Sequence, residues 1–206
     1  MMKRLVTLTI ALLISNVLLS QNYIGIQYAP YWTTNNSFVL KDGIENQQDK
    51  YTFGYSVGFQ GLTMSDRKIS LSYGLQYSYQ FLNNSNYYGY SELADPISSF
   101  KGRKEELYIL ELPATWRYNL IKDSKLQPYI SVATTIVIPI KLQATITNAD
   151  GSTQEGEINY SPFVLPDFGI GLNYKTEKWM FNVQPTIRPF SIWKKAGVGF
   201  SIMRKF

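Results

Sequence analysis

Residues 51–81 read YTFGYSVGFQGLTMSDRKISLSYGLQYSYQF. On each side of the short turn Ser65-Asp66-Arg67, large apolar side chains alternate with small polar ones. A period of two indicates β-strands, so the stretch predicts a hairpin. The polar face is Gly, Ser and Gln with almost no charge, whereas a soluble sheet shows charged side chains to water. An apolar outside and a polar inside are typical of a transmembrane β-barrel.

Composition agrees with strands in a membrane. The 206 residues suffice for one domain, 15% of them are aromatic, and only 17% are charged. The chain has no Cys and no His. It therefore has no disulfide framework, and it lacks the commonest general base and transition-metal ligand. A formal net charge of +5 without a clustered basic face excludes nucleic acid as a partner.

The first twenty residues differ from the rest. Lys3 and Arg4 precede an apolar run over 5–19, and Ser20-Gln21 offers a small residue for cleavage. This pattern predicts a secretory signal peptide over 1–20, and it leaves 21–206 as the barrel domain. The rival interpretation is a membrane anchor, but the apolar run is shorter than the roughly 20 residues that span a bilayer.

Eight strands follow, and the segments between them alternate between long and short. Outer-membrane barrels have an even number of strands, with short periplasmic turns and longer extracellular loops. The sequence therefore predicts an all-β fold, a closed eight-stranded antiparallel up-and-down transmembrane β-barrel whose termini both lie in the periplasm. Segments 83–105 and 143–161 are expected to be external loops. Pro113 and Pro185 fall deep within strands, and the pattern does not account for them.

A soluble barrel of the lipocalin kind, with the large side chains inside, is the alternative fold. About five large residues on each of eight strands exceed what an eight-stranded interior holds. A surface of Gly, Ser and Gln would also be unusual in water. The membrane barrel is therefore favoured, with an interior filled by side chains.

Three segments resemble PorT-like outer-membrane β-barrel proteins. The first, 107–118, reads LYILELPATWRY; the others are Pro128-Tyr129-Ile130 and 167–171, DFGIG. The terminal Phe206 is similar to the signal that the barrel-assembly machinery reads during membrane insertion. The resemblance implies an eight-strand barrel of the OmpA/OmpX type in the outer membrane of a gram-negative cell, with lipid and that machinery as partners. Some members of the family are linked to protein secretion.

Four charged residues have the parity of the inward face: Glu111, Arg117, Asp167 and Arg188. One interpretation is a polar conduit or a binding site. The favoured one is a lumenal network of ion pairs, because charges in a narrow interior must be paired. The short turn between the sixth and seventh strands places Asp167 near the level of Thr186 and Arg188, so the side chains of Asp167 and Arg188 are expected to lie within the distance of a salt bridge or of one bridging water.

The chemistry of the chain points away from catalysis. Outer-membrane barrel enzymes depend on a His, which this chain lacks, so we expect no enzyme, no cofactor and no metal site. The segment 83–105 is the expected partner-binding loop, through Tyr87, Tyr88, Tyr90, Phe100 and Arg103, unless these residues pack over the barrel mouth or extend the aromatic girdle. Two functions stay open: a structural or surface-interaction barrel, and an accessory component of outer-membrane transport or protein secretion.

Overall fold

A computed structural model of the protein describes residues 21–35, 51–64, 68–84, 100–121, 124–148, 150–157, 161–189 and 193–206. Within these ranges there are nine β-strands: β1 (Gln21–Asn35), β2 (Tyr51–Met64), β3 (Ile69–Asn84), β4 (Phe100–Asn119), β5 (Leu126–Asn148), β6 (Thr153–Glu157), β7 (Phe163–Lys175), β8 (Trp179–Arg188) and β9 (Trp193–Lys205). No helix in the same ranges is long and apolar enough to cross a membrane.

Eight of the nine strands close into an antiparallel barrel, in the order β4-β3-β2-β1-β9-β8-β7-β5, with β5 pairing back onto β4. The predicted fold class is confirmed in this respect. Segments 65–68, 120–125 and 176–178 join neighbouring strands at the end that also holds Gln21 and Phe206, which we call the short-turn end. The opposite end, where segments 36–50 and 85–99 leave the strands, is the long-loop end.

The wall has an apolar outside and a polar inside, as the alternation predicts. Along β3 the exposed residues include Ile69, Tyr73, Leu75 and Tyr77, whereas the intervening Ser and Gln residues are buried. The other barrel strands repeat the pattern. Buried polar and charged side chains line the interior, and among them are Ser56, Gln60, Ser72, Gln76, Ser78, Glu111, Thr115, Arg117, Ser131, Thr135, Asn173, Asn182, Gln184, Arg188 and Ser201.

The ninth strand corrects the expectation that 143–161 is a loop. Strand β5 continues to Asn148, turns at Asp150-Gly151 and pairs with β6 over 143–147. Gly151 has a φ of 89°, a conformation that Gly adopts readily, and the Asp-Gly turn signal fits this position. Because the last pair between β5 and β7 is Val137 with Phe163, the β5–β6 hairpin extends past the closed barrel at the long-loop end.

Strand β4 corrects a second expectation. It begins at Phe100, so Phe100 and Arg103 lie in a strand rather than in the loop predicted over 83–105. The pairings of β4 with β5 reach Asn148, and those with β3 reach Asn84. The residues in this region are mostly polar, so their composition looks like that of a loop, but strand pairing continues above the barrel. Tyr87, Tyr88 and Tyr90 lie outside the described residues.

Each barrel strand pairs with two neighbours, and prolines within the strands interrupt only one of these two ladders. Two pairs are missing beside Pro113 in the β3–β4 ladder, beside Pro185 in the β7–β8 ladder and beside Pro30 in the β1–β9 ladder. In each case the register resumes unchanged, and the second ladder of the proline's own strand continues across it. Pro139 lies next to the irregularity between β4 and β5. A closed barrel accommodates the missing amide donors by these local gaps.

Candidate functional site

Three of the four inward charges expected from parity, Glu111, Asp167 and Arg188, meet in the upper half of the lumen, towards the long-loop end. Arg188 on β8 bonds Asp167 on β7 through two nitrogens, with Nε 2.5 Å from Oδ1 and Nη2 2.9 Å from Oδ2. The expected proximity of these two residues is therefore confirmed, and the contact is a direct salt bridge. Asp167 also accepts a hydrogen bond of 2.6 Å from the Thr135 hydroxyl on β5. The guanidinium and the carboxylate thus form a bidentate pair on adjoining strands.

Glu111 on β4 is the centre of this network. Its carboxylate lies 3.1 Å from Arg188 Nη2 and 2.8 Å from Lys195 Nζ, and it accepts a 2.7 Å hydrogen bond from the Ser78 hydroxyl. Only 2% of Glu111 is exposed. Strand β9, which carries Lys195, lies opposite β4 in the closed barrel, so this ion pair crosses the lumen. We call Glu111, Asp167, Arg188 and Lys195 the central network.

The sequence analysis did not include Lys195 or Tyr31 among the residues of the lumenal network. The Lys195 ammonium lies 4.1 Å from the centroid of the Tyr31 ring, and the Tyr31 hydroxyl donates to the Tyr79 carbonyl oxygen at 3.3 Å. Parity alone would have found both residues, because Gly197 and Gly199 mark the inward face of β9 and Ala29 marks that of β1.

Two lumenal glycines are explained by close approach of a tyrosine ring. A Cβ on Gly54 would meet the Tyr31 ring at 2.6 Å, and a Cβ on Gly171 would overlap the ring of Tyr129. The structure shows that the two glycines make room for two buried tyrosine rings, which in turn contact the charges.

Arg117 lies in a second polar layer, nearer the short-turn end. Its Nη2 donates to Gln184 Oε1 at 3.0 Å, and its guanidinium lies 4.7 Å from the Tyr129 ring centroid. Gln184 donates in turn to Ser131 at 3.1 Å, and Asn182 donates to the Tyr129 hydroxyl at 2.7 Å. Arg117 therefore does not join the central network, although sequence analysis placed it with the other three residues.

Apolar side chains pack in the lumen on both sides of these layers. Tyr23, Leu62, Met64, Met180 and Met203 pack together at the short-turn end. A second cluster faces the lumen towards the long-loop end and consists of Leu107, Ile109 and Val137, with Phe163 and Leu165 packed against it. Between the clusters lies a cavity of about 70 Å³, lined by the four residues of the central network and by other polar residues that include Gln76, Thr115 and Gln184. Side chains of the two polar layers and the two apolar clusters thus occupy the described interior, with this cavity between them.

Phe206, the predicted membrane-insertion signal, is not part of this site. Phe206 is an exposed residue at the end of the chain, and its backbone amide bonds the Asn22 carbonyl oxygen at 3.0 Å. In the part of the chain that the structure describes, no three acidic side chains lie close enough together to hold a metal ion.

No protein-family model and no curated protein matches this sequence. Among solved structures, the chain is similar to Ail of Yersinia pestis in complex with the heparin analogue sucrose octasulfate, at 9% identity, 91% of this chain, 99% of that chain and a TM-score of 0.49. The chain is also similar to neisserial surface protein A, with 12% identity and a TM-score of 0.49; the match covers 90% of this chain and 97% of that chain. For the N-terminal β-barrel domain of Pseudomonas aeruginosa OprF, the identity is 16% and the TM-score is 0.42; the match covers 91% of this chain and 99% of that chain.

At these identities and TM-scores the similarity carries no inference about function, and the barrel is established by its own strand pairings. The resemblance to PorT-like proteins stays a prediction from sequence.

Proposed function

We propose that this chain is an integral outer-membrane β-barrel with a side-chain-filled polar lumen, and that it acts as a structural or surface-interaction protein through its long-loop end. The observation that carries the proposal is a continuous uncharged band around the outside of the barrel. Among described outward-facing residues, the charged ones flank this band: Lys68 and Arg204 at the short-turn end, and Lys104, Glu106, Lys141 and Lys194 at the long-loop end.

The height of the band matches a bilayer. From Ile69 to Phe81, strand β3 rises about 40 Å at roughly 3.3 Å per residue, or about 30 Å along the membrane normal at a tilt near 40°. The hydrocarbon core of a bilayer is also about 30 Å thick. Exposed apolar side chains of this extent would be a large liability in water, whereas in lipid they face their natural solvent.

Aromatic side chains at the upper edge of the band support the same placement. Tyr55 and Tyr79 have ring centroids 5.7 Å apart, and Tyr79 and Tyr108 are 5.2 Å apart. The Tyr108 hydroxyl donates to Glu106 at 2.9 Å, where the outward face becomes charged. Rings with one wet and one apolar end are typical of membrane interfaces. Trp116, Tyr118, Tyr174 and Trp179 are exposed near the other edge.

The closed interior favours a structural or interaction role over conduction. The pair of Lys195 with Glu111 spans the lumen, and an apolar cluster fills its short-turn end. A role as an accessory of transport or secretion is the alternative, and it would have to act through a partner rather than through this lumen. The absence of His from the sequence supports a non-catalytic role.

The surface that we assign to interaction is the part of β4, β5 and β6 above the barrel. Its described outward side chains are polar or charged, and Glu155 on β6 is exposed. The partner is unknown. We further propose that the barrel-assembly machinery inserts the chain, with the exposed Phe206 and the outward Phe200 and Ile202 as the terminal signal.

Orientation and membrane placement are tested together by labelling in cells. Because the chain has no Cys, Glu155→Cys and Lys178→Cys each create a single thiol, one at either end of the barrel. A membrane-impermeant maleimide should label the 155 variant in intact cells and the 178 variant only after the outer membrane is permeabilised. Equal labelling in intact cells, or recovery of the protein in the soluble periplasmic fraction, would contradict the proposal.

The interaction role needs a separate experiment. Replacing 146–154 by a two-residue Asn-Gly turn shortens the hairpin and leaves the closed barrel intact. We expect cells that carry this variant to lose binding to the surface partner. The folded barrel should resist unfolding by heat in gel electrophoresis as well as the wild type does. Stable ion-conducting openings of the wild-type barrel in planar bilayers would instead favour a transport role.

A further inference from the structure

A groove of about 970 Å³ crosses the outer wall of the barrel. Its sides are two neighbouring rows of outward side chains, which follow the pairing of residues from strand to strand. One row passes from Trp116 on β4 to Trp32 on β1, and the other from Ile69 on β3 to Val198 on β9. The residues between the rows alternate to the inward face, so their backbone forms the floor of the groove.

The groove runs obliquely across the lipid-facing band. Ile69 directly follows the short turn 65–68, whereas Trp32 lies near the upper end of β1. The outward side chains of both rows are apolar or aromatic. Pockets that hold drug-sized ligands measure about 300–1,000 Å³. The groove therefore has the size and the chemistry for a hydrocarbon chain rather than for a polar ligand.

Lys68 places a positive charge at the lower mouth of the groove. Its ammonium is exposed and lies 5.9 Å from the centroid of the Tyr118 ring, which lines the groove. The Lys68 carbonyl oxygen accepts hydrogen bonds from the Asn119 amide at 2.7 Å and from Asn119 Nδ2 at 3.1 Å. These bonds hold the Lys68 backbone where the apolar groove meets the polar interface.

The whole short-turn end is basic in the part of the chain that the structure describes. Six exposed or half-buried cationic side chains lie there with one carboxylate side chain: Lys68, Lys125, Lys175, Lys178, Arg204 and Lys205, with Glu177. Lys and Arg side chains near an anionic leaflet are each attracted to it. A second copy of the barrel on this wall would bring another basic rim beside the first, which like-charge repulsion disfavours. Charge therefore favours a lipid over a second copy as the occupant.

We propose that the groove holds an acyl chain of an anionic phospholipid from the periplasmic leaflet, with the lipid phosphate on the Lys68 ammonium. The site rests on the membrane placement proposed above and adds a preference for one class of lipid. The cation at the mouth selects the net negative headgroup, and the groove holds the chain. A zwitterionic headgroup gains less from Lys68, because its own cation opposes the attraction.

The test uses the fluorescence of Trp116 in the refolded barrel. Trp32→Phe, Trp179→Phe and Trp193→Phe leave Trp116 as the only tryptophan. In phosphatidylcholine bilayers, a small fraction of a phospholipid brominated on its acyl chain quenches Trp116 where that chain enters the groove. Brominated phosphatidylglycerol should occupy the site with about a five-fold preference over brominated phosphatidylcholine, the factor for one lysine beside an anionic lipid.

Two variants in this background separate the site from diffuse attraction to the rim. Lys68→Gln should abolish the preference for phosphatidylglycerol. Lys178→Gln, which removes an exposed charge at the same end but outside the groove, is the matched control and should keep it. Equal quenching by the two lipids, or an equal effect of the two variants, overturns the proposal.

Failure of the membrane placement would give a different result. Quenching by neither lipid would contradict the placement and this site with it, whereas equal quenching by both contradicts the site alone. Ile130→Cys, in the middle of the groove, tests the other occupant, because the chain has no native Cys. A disulfide between two barrels at this position would assign the groove to a second copy and overturn the proposal.

Discussion

Replacing Glu111 by Gln removes one charge from the centre of the lumen and leaves the shape of the side chain almost unchanged. Glu111 accepts from Arg188 Nη2 at 3.1 Å, from Lys195 Nζ at 2.8 Å and from Ser78 at 2.7 Å. An amide can keep some of these hydrogen bonds. It cannot balance two cations, so the substitution isolates the charge.

The expected loss of stability follows from burial. Two unit charges about 3 Å apart attract by about 5 kcal/mol at an effective dielectric constant near 20, before desolvation is subtracted. Breaking a buried pair by removing one partner costs about 3–5 kcal/mol, because an uncompensated charge stays behind. Arg188 keeps Asp167, and the Lys195 side chain is 17% exposed. We therefore expect the lower end, about 3 kcal/mol.

Urea unfolding of the refolded barrel, followed by tryptophan fluorescence, measures this loss. Glu106→Gln is the matched control, because Glu106 lies on the same strand, faces outward and bonds only the Tyr108 hydroxyl in the described structure. The control should lose less than about 1 kcal/mol. If Glu111→Gln lies within about 0.5 kcal/mol of wild type, or loses no more than the control, the central network does not stabilise the barrel.

Three further predictions follow from the wall of the barrel. Leu75→Arg, at the middle of the lipid-facing band, should lower the free energy of unfolding in urea by about 2–4 kcal/mol. Ile69→Arg, beside Lys68 at the edge of the band, should lower it by about 0–1 kcal/mol. Equal losses would contradict the placement of the band. Gly58→Ala should lower the free energy of unfolding by more than about 3 kcal/mol, because the added Cβ would overlap the Leu75 carbonyl oxygen of the neighbouring strand. Ser56→Ala is the control. A loss for Gly58→Ala as small as that of the control would show that the backbone yields easily. Backbone amides within the three proline interruptions should exchange hydrogen faster than those of the continuous β8–β9 ladder, and uniform protection would contradict this.

The barrel and its two faces could be predicted because strands alternate strictly. A period of two assigns each residue to a face, and a short turn fixes the register of neighbouring strands. For this reason the contact of Asp167 with Arg188 across the turn 176–178 was predictable from sequence. The same parity correctly placed Glu111 and Arg117 inside.

The contacts across the lumen were beyond the sequence. Whether Glu111 meets Lys195 depends on how the closed barrel staggers strands that are far apart in the chain, and no local pattern encodes that stagger. The separation of Arg117 from the central network has the same origin. The hairpin of β5 with β6 was missed because its residues are mostly polar and therefore look like a loop by composition, although backbone pairing above the barrel does not require a continuous apolar face.

Placement of the barrel in a membrane depends most directly on which side of the wall is apolar. A nitroxide scan of β3 measures this, because the chain has no native Cys and each introduced Cys carries a single label. In bilayers, labels at 71, 73, 75, 77 and 79 should collide with oxygen dissolved in the lipid, and labels at 72, 74, 76 and 78 should be protected from it. Reversed alternation, or access of a water-soluble nickel chelate to the positions of Tyr73, Leu75 and Tyr77, would contradict the membrane barrel.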